Sequence, residues 1–347
     1  MTKLLDHPPF GKRKDSSFLQ EMSELCKFHL RWCSSYKSIT GDFSASSVEE
    51  IPFIHVGAFK SISLITEAEG IEHQRTLLSS ATTSGKSSMI ALDKESSELQ
   101  SRSVHSILGD FIGNAKRPLL VLDSPKSLRT RGVLSARIAA ALSLQKFATS
   151  TSFLLNEIND FGSIELEKIE IALEDSDELI VYGFTWVLWS SWANSPQIEK
   201  IRDIVKGKRV TFVHSGGWKK LEEQKVSRKH FDETLLSSLD PNSRVIDYYG
   251  LVEQVGIIYP MCEYGFRHVP IWAEIIIRDS WTLEPLVQKI GQIQLLNLLA
   301  FGSPYHSVLT EDLGIIHDGN CQCGRSGNRF ELIGRIPKAE IRGCANV

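Results

Sequence analysis

The spacing of apolar positions changes rhythm several times along the chain, and each change predicts a different kind of element. Residues 15 to 40 place Phe18, Met22, Leu25, Phe28 and Leu30 at helical intervals, which predicts an amphipathic N-terminal helix pair. From about 50 to 130, short apolar runs alternate with polar turns: Ile51 to Ile54, Ser61 to Ile65, Met89 to Leu92, and Leu119 to Asp123. The last run is continuous enough to be a buried strand, and Ser124-Pro125 ends it in a loop. Further on, Val133 to Leu144 and Ile164 to Leu173 read as helices. Leu179 to Tyr182 reads as a strand that turns at Gly183 into the Trp-rich stretch Thr185 to Trp192. A second such unit follows as Arg209 to His214, the loop Ser215-Gly216-Gly217, and a charged helix around Lys219 to Glu223. Repeated strand-loop-helix units predict an α/β sheet with ligands at the carboxyl ends of its strands. Beyond 245 the pattern changes to strands and Gly-rich turns, with Ala273 to Arg278 and Ile293 to Leu299 strand-like.

Composition narrows the functional classes. The 347 residues, 42% of them apolar, suffice for one large core or two smaller ones, so disorder over most of the chain is excluded. With 39 Lys+Arg against 42 Asp+Glu, the chain lacks the basic excess of a protein built on a phosphate backbone, and no nucleic-acid partner is expected. The richest apolar stretch, Leu179 to Ala193, is too short to span a bilayer and contains Ser190 and Ser191, so no transmembrane segment is expected. Six cysteines are sparse for this length and the N-terminus is polar, which makes a reduced, cytoplasmic setting the expectation.

Four segments can carry chemistry. Ser79 to Ser87 packs hydroxyls, Gly85 and Lys86 into nine positions, a composition that can wrap phosphates with N–H and O–H donors while the ammonium neutralises charge. A P-loop would require glycine at Ser80, and a plain surface turn fits the same composition. Asp247-Tyr248-Tyr249-Gly250-Leu251-Val252-Glu253 sets a carboxylate after a glycine turn, where Glu253 can hold a metal against a phosphate or simply be solvated. Cys321-Gln322-Cys323 offers two thiolates. Cys262 and His268 complete a Cys3His set for zinc if the chain folds one pair onto the other; otherwise the four are independent side chains. Finally, Cys344 stands near the last residue. It is an idle thiol, a prenylation box with poor aliphatic character in Cys344-Ala345-Asn346-Val347, or a nucleophile.

In order, the Ser/Thr-Lys loop, Gly216-Gly217, Tyr249-Gly250-x-x-Glu253, Thr310-Glu311-Asp312, and Gly334-Arg335 resemble the motif series of the adenylate-forming enzymes, which activate a carboxylic acid with ATP. The resemblance implies that Ser79, Ser80, Thr82, Thr83 and Lys86 meet phosphate oxygens and that Glu253 binds Mg2+. It also implies that Gly216, Gly217, Tyr249 and Gly250 line the nucleotide, that Asp312 takes the ribose hydroxyls, and that Arg335 reaches ribose or phosphate. Ala81 and Ser84 replace usual glycines, Val252 replaces a threonine, and Ile336-Pro337-Lys338 replaces an acidic hinge. These departures keep open a non-catalytic subunit of a synthetase complex.

Within that superfamily, Ser215-Gly216-Gly217-Trp218-Lys219, Arg267-His268-Val269-Pro270-Ile271-Trp272 and Arg342-Gly343-Cys344-Ala345 resemble the acyl-protein synthetases of the LuxE type. The implied fold is α/β, the large N-terminal domain of an adenylate-forming enzyme with layered sheets and helices, without the full swinging C-terminal domain. The chain then divides into a helical segment over 1–50, an adenylate-forming core over 51–335 with a soft subdivision near 240–260, and a tail over 336–347. The implied reaction makes an acyl-AMP from a carboxylic, typically fatty, acid and loads it on Cys344 as a thioester for a partner such as an acyl reductase. The alternative acceptor is coenzyme A or a carrier-protein thiol. Cys344 lies nine residues beyond Arg335, a reach of roughly 30 Å for extended chain. Phenylacetate-CoA ligases, which the chain also resembles, imply a structural zinc on Cys262, His268, Cys321 and Cys323. Gly183, Phe184, Thr185, Trp186 and Trp189 are candidate acyl-pocket lining, although an aromatic stripe is as readily core.

Overall fold

The computed structural model describes residues 2–78, 87–129, 136–157, 160, 162–218 and 223–336. The N-terminal helices form as the spacing predicts: α1 (Asp15–Trp32) and α2 (Ser34–Thr40). Phe18, Met22, Leu25 and Cys26 on one face of α1 are buried, and Phe18, Met22 and Cys26 pack with Ile276, Leu296 and Leu298. The apolar runs that follow are used unevenly. Near the first, Ile54–His55 becomes a strand (β1), and Ser61 to Ile65 forms no strand. A two-stranded ribbon, β2 (His73–Leu78) and β3 (Met89–Asp93), leads into helix α3 (Lys94–Ile112). Asp93 starts that helix, its carboxylate accepting from the Ser96 N–H.

The centre of the chain is a six-stranded sheet. Its strands are β4 (Arg117–Val121), β5 (Ala148–Phe153), β6 (Glu178–Phe184), β7 (Arg209–Ser215), β8 (Arg244–Tyr249) and β9 (Tyr259–Pro260), in the order β5-β4-β6-β7-β8-β9. All neighbours are parallel except β8 and β9. A parallel sheet is covered on both faces, so its strands are apolar on both sides. In β6, Ile180 and Tyr182 enter the larger core with Leu108 and Phe111 of α3, whereas Leu179 and Val181 enter a second core on the opposite face. The second core contains residues of α5 (Leu166–Leu173), α7 (Ile198–Val205) and α8 (Arg228–Leu236). Between β4 and β5 runs α4 (Ala136–Ser143), within the helix expected over Val133 to Leu144, whose first residues lie outside the described ones. After β6, the Trp-rich stretch forms the short α6 (Thr185–Leu188) and continues as a π turn over Trp189–Ala193. The helix expected around Lys219 lies mostly outside the described residues.

The C-terminal part builds a second sheet from β10 (Arg267–His268), β11 (Ala273–Arg278), β12 (Gly291–Asn297), β13 (Ser307–His317) and β14 (Arg329–Arg335), ordered β10-β14-β13-β12-β11. The early strand β1 joins it through β13, in parallel. Ile275, Ile277, Ile293 and Leu295 turn toward the core shared with the central sheet, while Ile276 and Leu296 turn toward α1. Period-two alternation therefore serves two apolar layers at once.

Candidate functional site

Two sites emerge, one compact and one distributed. The compact one gathers Cys262, His268, Cys321 and Cys323, with all four ligand atoms within 4.8 Å of one another. Cys262 follows β9 in a tight turn closed by its N–H to the Phe266 carbonyl (2.8 Å), and His268 ends the short β10. Cys321 and Cys323 flank a turn between β13 and β14, closed by Gly324 N–H to the Cys321 carbonyl at 3.1 Å. Pairing of β10 with β14 brings the turns together. The Cys262 and Cys321 sulfurs are 3.8 Å apart, and the Cys323 sulfur is 3.2 Å from His268 Nε2. Tetrahedral zinc with bonds of about 2.3 Å to sulfur separates two sulfurs by roughly 3.8 Å, so the donor set and its size fit that ion.

Burial sets the electrostatics of the cluster. Burial, with Arg325 and Arg329 nearby, lowers His268 to about 4, so its imidazole is neutral at physiological pH. Burial raises Cys262 to about 11. It also opposes ionisation of Cys321, but the Cys323 backbone N–H and the neighbouring thiols outweigh it and hold Cys321 below the usual thiol range. Arg325 braces the turn from outside: its guanidinium lies 3.7 Å from the Phe111 ring centroid and donates to Asp110 at 2.6 Å.

The distributed site lies where the central sheet's strands end. Gly216 (φ +87°) and Gly217 (φ +64°) leave β7 in left-handed backbone, and a Cβ on Gly216 would sit 3.2 Å from the Phe184 ring. Both facts require glycine at 216. Tyr249 ends β8, and its hydroxyl donates to Asp312 on β13 at 2.7 Å. Arg335 reaches the same carboxylate through Nε at 3.3 Å while most of its side chain stays exposed. Burial raises Asp312 above the ordinary carboxylate range. Gly250 leads to a 3-10 turn over Val252–Gln254 that carries Glu253, 6% exposed and likewise raised by burial, with Ser88 as a hydrogen-bonding neighbour. Such a buried carboxylate gains from a cation beside it. Tyr249, Asp312 and Arg335, 86 residues apart at the extremes, therefore meet, with Gly250 and Glu253 on the same loop as Tyr249. Ser79, Ser80, Thr82, Thr83, Lys86 and Cys344 lie outside the described residues.

Motif reading gave no role to Asp247 beside this loop or to the three residues that face it. Asp247 on β8 accepts from Arg267 Nη2 at 2.6 Å and faces Arg228 Nη1 at 3.4 Å and His214 Nδ1 at 4.0 Å. The available signal was a lone aspartate at a strand end, a signal that spacing cannot distinguish from a solvated residue. Of the expected pocket aromatics, Trp189 belongs to the second core, 5.7 and 5.8 Å from Trp218 and Phe231 between centroids, and Phe184 and Trp186 pack against that core partly buried.

Comparison with solved structures defines the class. The fold matches 2-hydroxyisobutyryl-CoA ligase, solved in an open conformation with 2-HIB-AMP and CoA, at a TM-score of 0.69 and 12% identity over 95% of this chain and 71% of that one. The chain has the adenylate-forming enzyme fold. A family model described as "Acyl-protein synthetase, LuxE" matches residues 15–347, and the chain belongs to that family. It is 26% identical over 309 residues to the long-chain-fatty-acid–luciferin-component ligase of Aliivibrio fischeri, covering 86% of this chain and 78% of that protein. Its identity to the protein of the same name from Vibrio harveyi is 23% over 308 residues, covering 86% of this chain and 77% of that protein. Family and fold together make the chain an acyl-activating, AMP-forming ligase. No helix among the described residues is long and apolar enough to cross a membrane.

Proposed function

We propose that the protein is an acyl-protein synthetase that activates a fatty acid with ATP as acyl-AMP and transfers the acyl group to Cys344, from which a partner such as an acyl reductase collects it. The observation that carries this reading is the family match running through residue 347, which includes Arg342-Gly343-Cys344. The Tyr249–Asp312–Arg335 convergence supports it.

In the first step a carboxylate oxygen attacks the α-phosphorus of ATP, a new P–O bond forms, the α–β bridge breaks and pyrophosphate leaves. Lys86 and the hydroxyls of Ser79, Ser80, Thr82 and Thr83 hold the phosphates and stabilise developing charge. Glu253 holds Mg2+, which neutralises phosphate charge when bound. Gly216 and Gly217 lie along the adenine because their bare Cα atoms permit close approach, Tyr249 and Gly250 close the nucleotide pocket, and Asp312 accepts from the ribose hydroxyls with Arg335 beside it. In the second step the Cys344 thiol loses its proton, sulfur attacks the acyl carbon, the C–O bond to AMP breaks and a thioester remains. Cys262, His268, Cys321 and Cys323 hold a structural zinc, which would cross-link the turn after β9 to the turn after β13.

Pyrophosphate exchange into ATP that depends on added fatty acid tests the first step. Labelled acyl group that stays on the denatured protein, leaves with hydroxylamine and is absent from Cys344→Ser tests the second. Retention of label in that variant refutes Cys344 as carrier, and label found only on added coenzyme A moves the acceptor off the chain. Absence of exchange with every acid leaves only the non-catalytic reading.

A further inference from the structure

The last paired residues of β7 and β8 are His214 and Asp247. Immediately beyond this rung the two chains separate. One becomes Ser215-Gly216-Gly217 and the other runs through Tyr249 to Glu253. Side-chain contacts hold the rung from the β7 side. The Thr185 hydroxyl lies 2.9 Å from His214 Nδ1 and 3.1 Å from the Ser215 carbonyl. The His214 ring is 3% exposed and packs on Phe231 at 5.0 Å between centroids.

Asp247 meets this arrangement from the neighbouring strand. Its carboxylate takes Arg267 at 2.6 Å and faces Arg228 and His214. Arg267 also donates to the Asp247 carbonyl at 3.3 Å and the Tyr259 carbonyl at 3.0 Å, so one guanidinium holds both the strand end and the start of the Cys262 turn. Arg228 comes from the first turn of α8, where it pairs with Asp232 at 2.6 Å and donates to the Val245 carbonyl at 3.3 Å. A single carboxylate, its side chain 20% exposed, is therefore the meeting point of β7, β8, α8 and the His268 strand.

We propose that Asp247 is a positioning residue for the ligase reaction: it holds the loops of Gly216–Gly217 and Tyr249–Glu253 at the separation that a nucleotide occupies. The inference rests on the proposed nucleotide site and adds the residue that sets its width. Charge is required, because two guanidiniums converge on the carboxylate, and an amide of the same shape accepts from them far more weakly. The expected change is in ATP handling, with the acid's KM unaffected.

The test compares wild type with Asp247→Asn in the full-length, metal-loaded protein, using Mg-ATP titration calorimetry together with pyrophosphate exchange. We expect KM and Kd for ATP to rise about tenfold, KM for the acid to stay within about twofold, and zinc content by a colorimetric chelator to be unchanged. Should Asp247→Asn unfold below the assay temperature, His214→Gln leaves both arginine pairs intact and loosens only the rung, with about a threefold rise in ATP KM expected. Unchanged ATP constants alongside a lower melting temperature overturn the proposal, as does an equal rise for acid and ATP. Failure of wild type to bind Mg-ATP instead defeats the nucleotide site itself, which separates the two failures.

Discussion

The cysteine-histidine cluster and the loops at the strand ends of the central sheet are built on opposite principles. The cluster joins two short turns, is closed on itself, and brings four donor atoms within 4.8 Å of one another. The loops draw on β7, β8, β13 and β14, meet through single hydrogen bonds such as Tyr249 to Asp312, and leave Arg335 mostly exposed. A small ion needs its donors preformed at bond-length precision, whereas a nucleotide spans many ångströms and is held by donors spread over several strand ends. Asp247 belongs to both regions, since Arg267 beside the cluster's His268 is its strongest partner.

The comparison breaks most readily at the cluster. Cys321→Ser should lose zinc and lower the melting temperature by about 10 °C or more, because structural metal binding is folding free energy. Scanning calorimetry with metal analysis reads this, and a zinc-replete variant of native stability would show that the four groups are no site. Next in size, Glu253→Gln should cut kcat for pyrophosphate exchange about 100-fold while fatty-acid binding persists. Equal activity at saturating magnesium would remove Glu253 from the metal. At Gly216, alanine must take φ +87° against the Phe184 ring. Gly216→Ala should therefore raise ATP KM about tenfold, and Gly70→Ala, also at positive φ but with open space around it, is the control for backbone strain alone.

Acid should act through burial at the strand-end rung and, separately, at His29 on α1. His29 and His214 are each lowered to about 4 by desolvation, so an unfolded chain takes up their protons first. The stability from keeping them neutral is fully present above pH 6.5 and is lost progressively as pH falls toward 4. Urea midpoints measured across that window should fall, and His29→Gln should flatten the slope. The smallest effect is expected for Tyr249→Phe, which removes one hydrogen bond to Asp312 and should cost about 1 kcal/mol, read as a few-fold weaker ATP binding.

Much of the distributed site was legible because glycine, tyrosine and carboxylate motifs keep local spacing: Gly216-Gly217 and Tyr249-Gly250 each occupy a single turn. The cluster was legible as residue types, but the approach of Cys262 to Cys321 across 59 positions depends on β10 pairing with β14, and no local pattern encodes that pairing. Asp247 was illegible for the same reason, since its partners come from positions 214, 228 and 267.

By itself, then, the sequence determined the helical start, the alternating units of the central sheet, the glycines of the turn after β7 and the identity of the candidate metal donors, because each depends on contacts between near neighbours. Tertiary structure alone decided that β1 joins the C-terminal sheet, that four dispersed donors converge, and that one partly buried aspartate meets two arginines at a strand end. Those arrangements are set by sheet pairing and by the cost of leaving a charge unpaired in a core, and both act between residues that the chain keeps far apart.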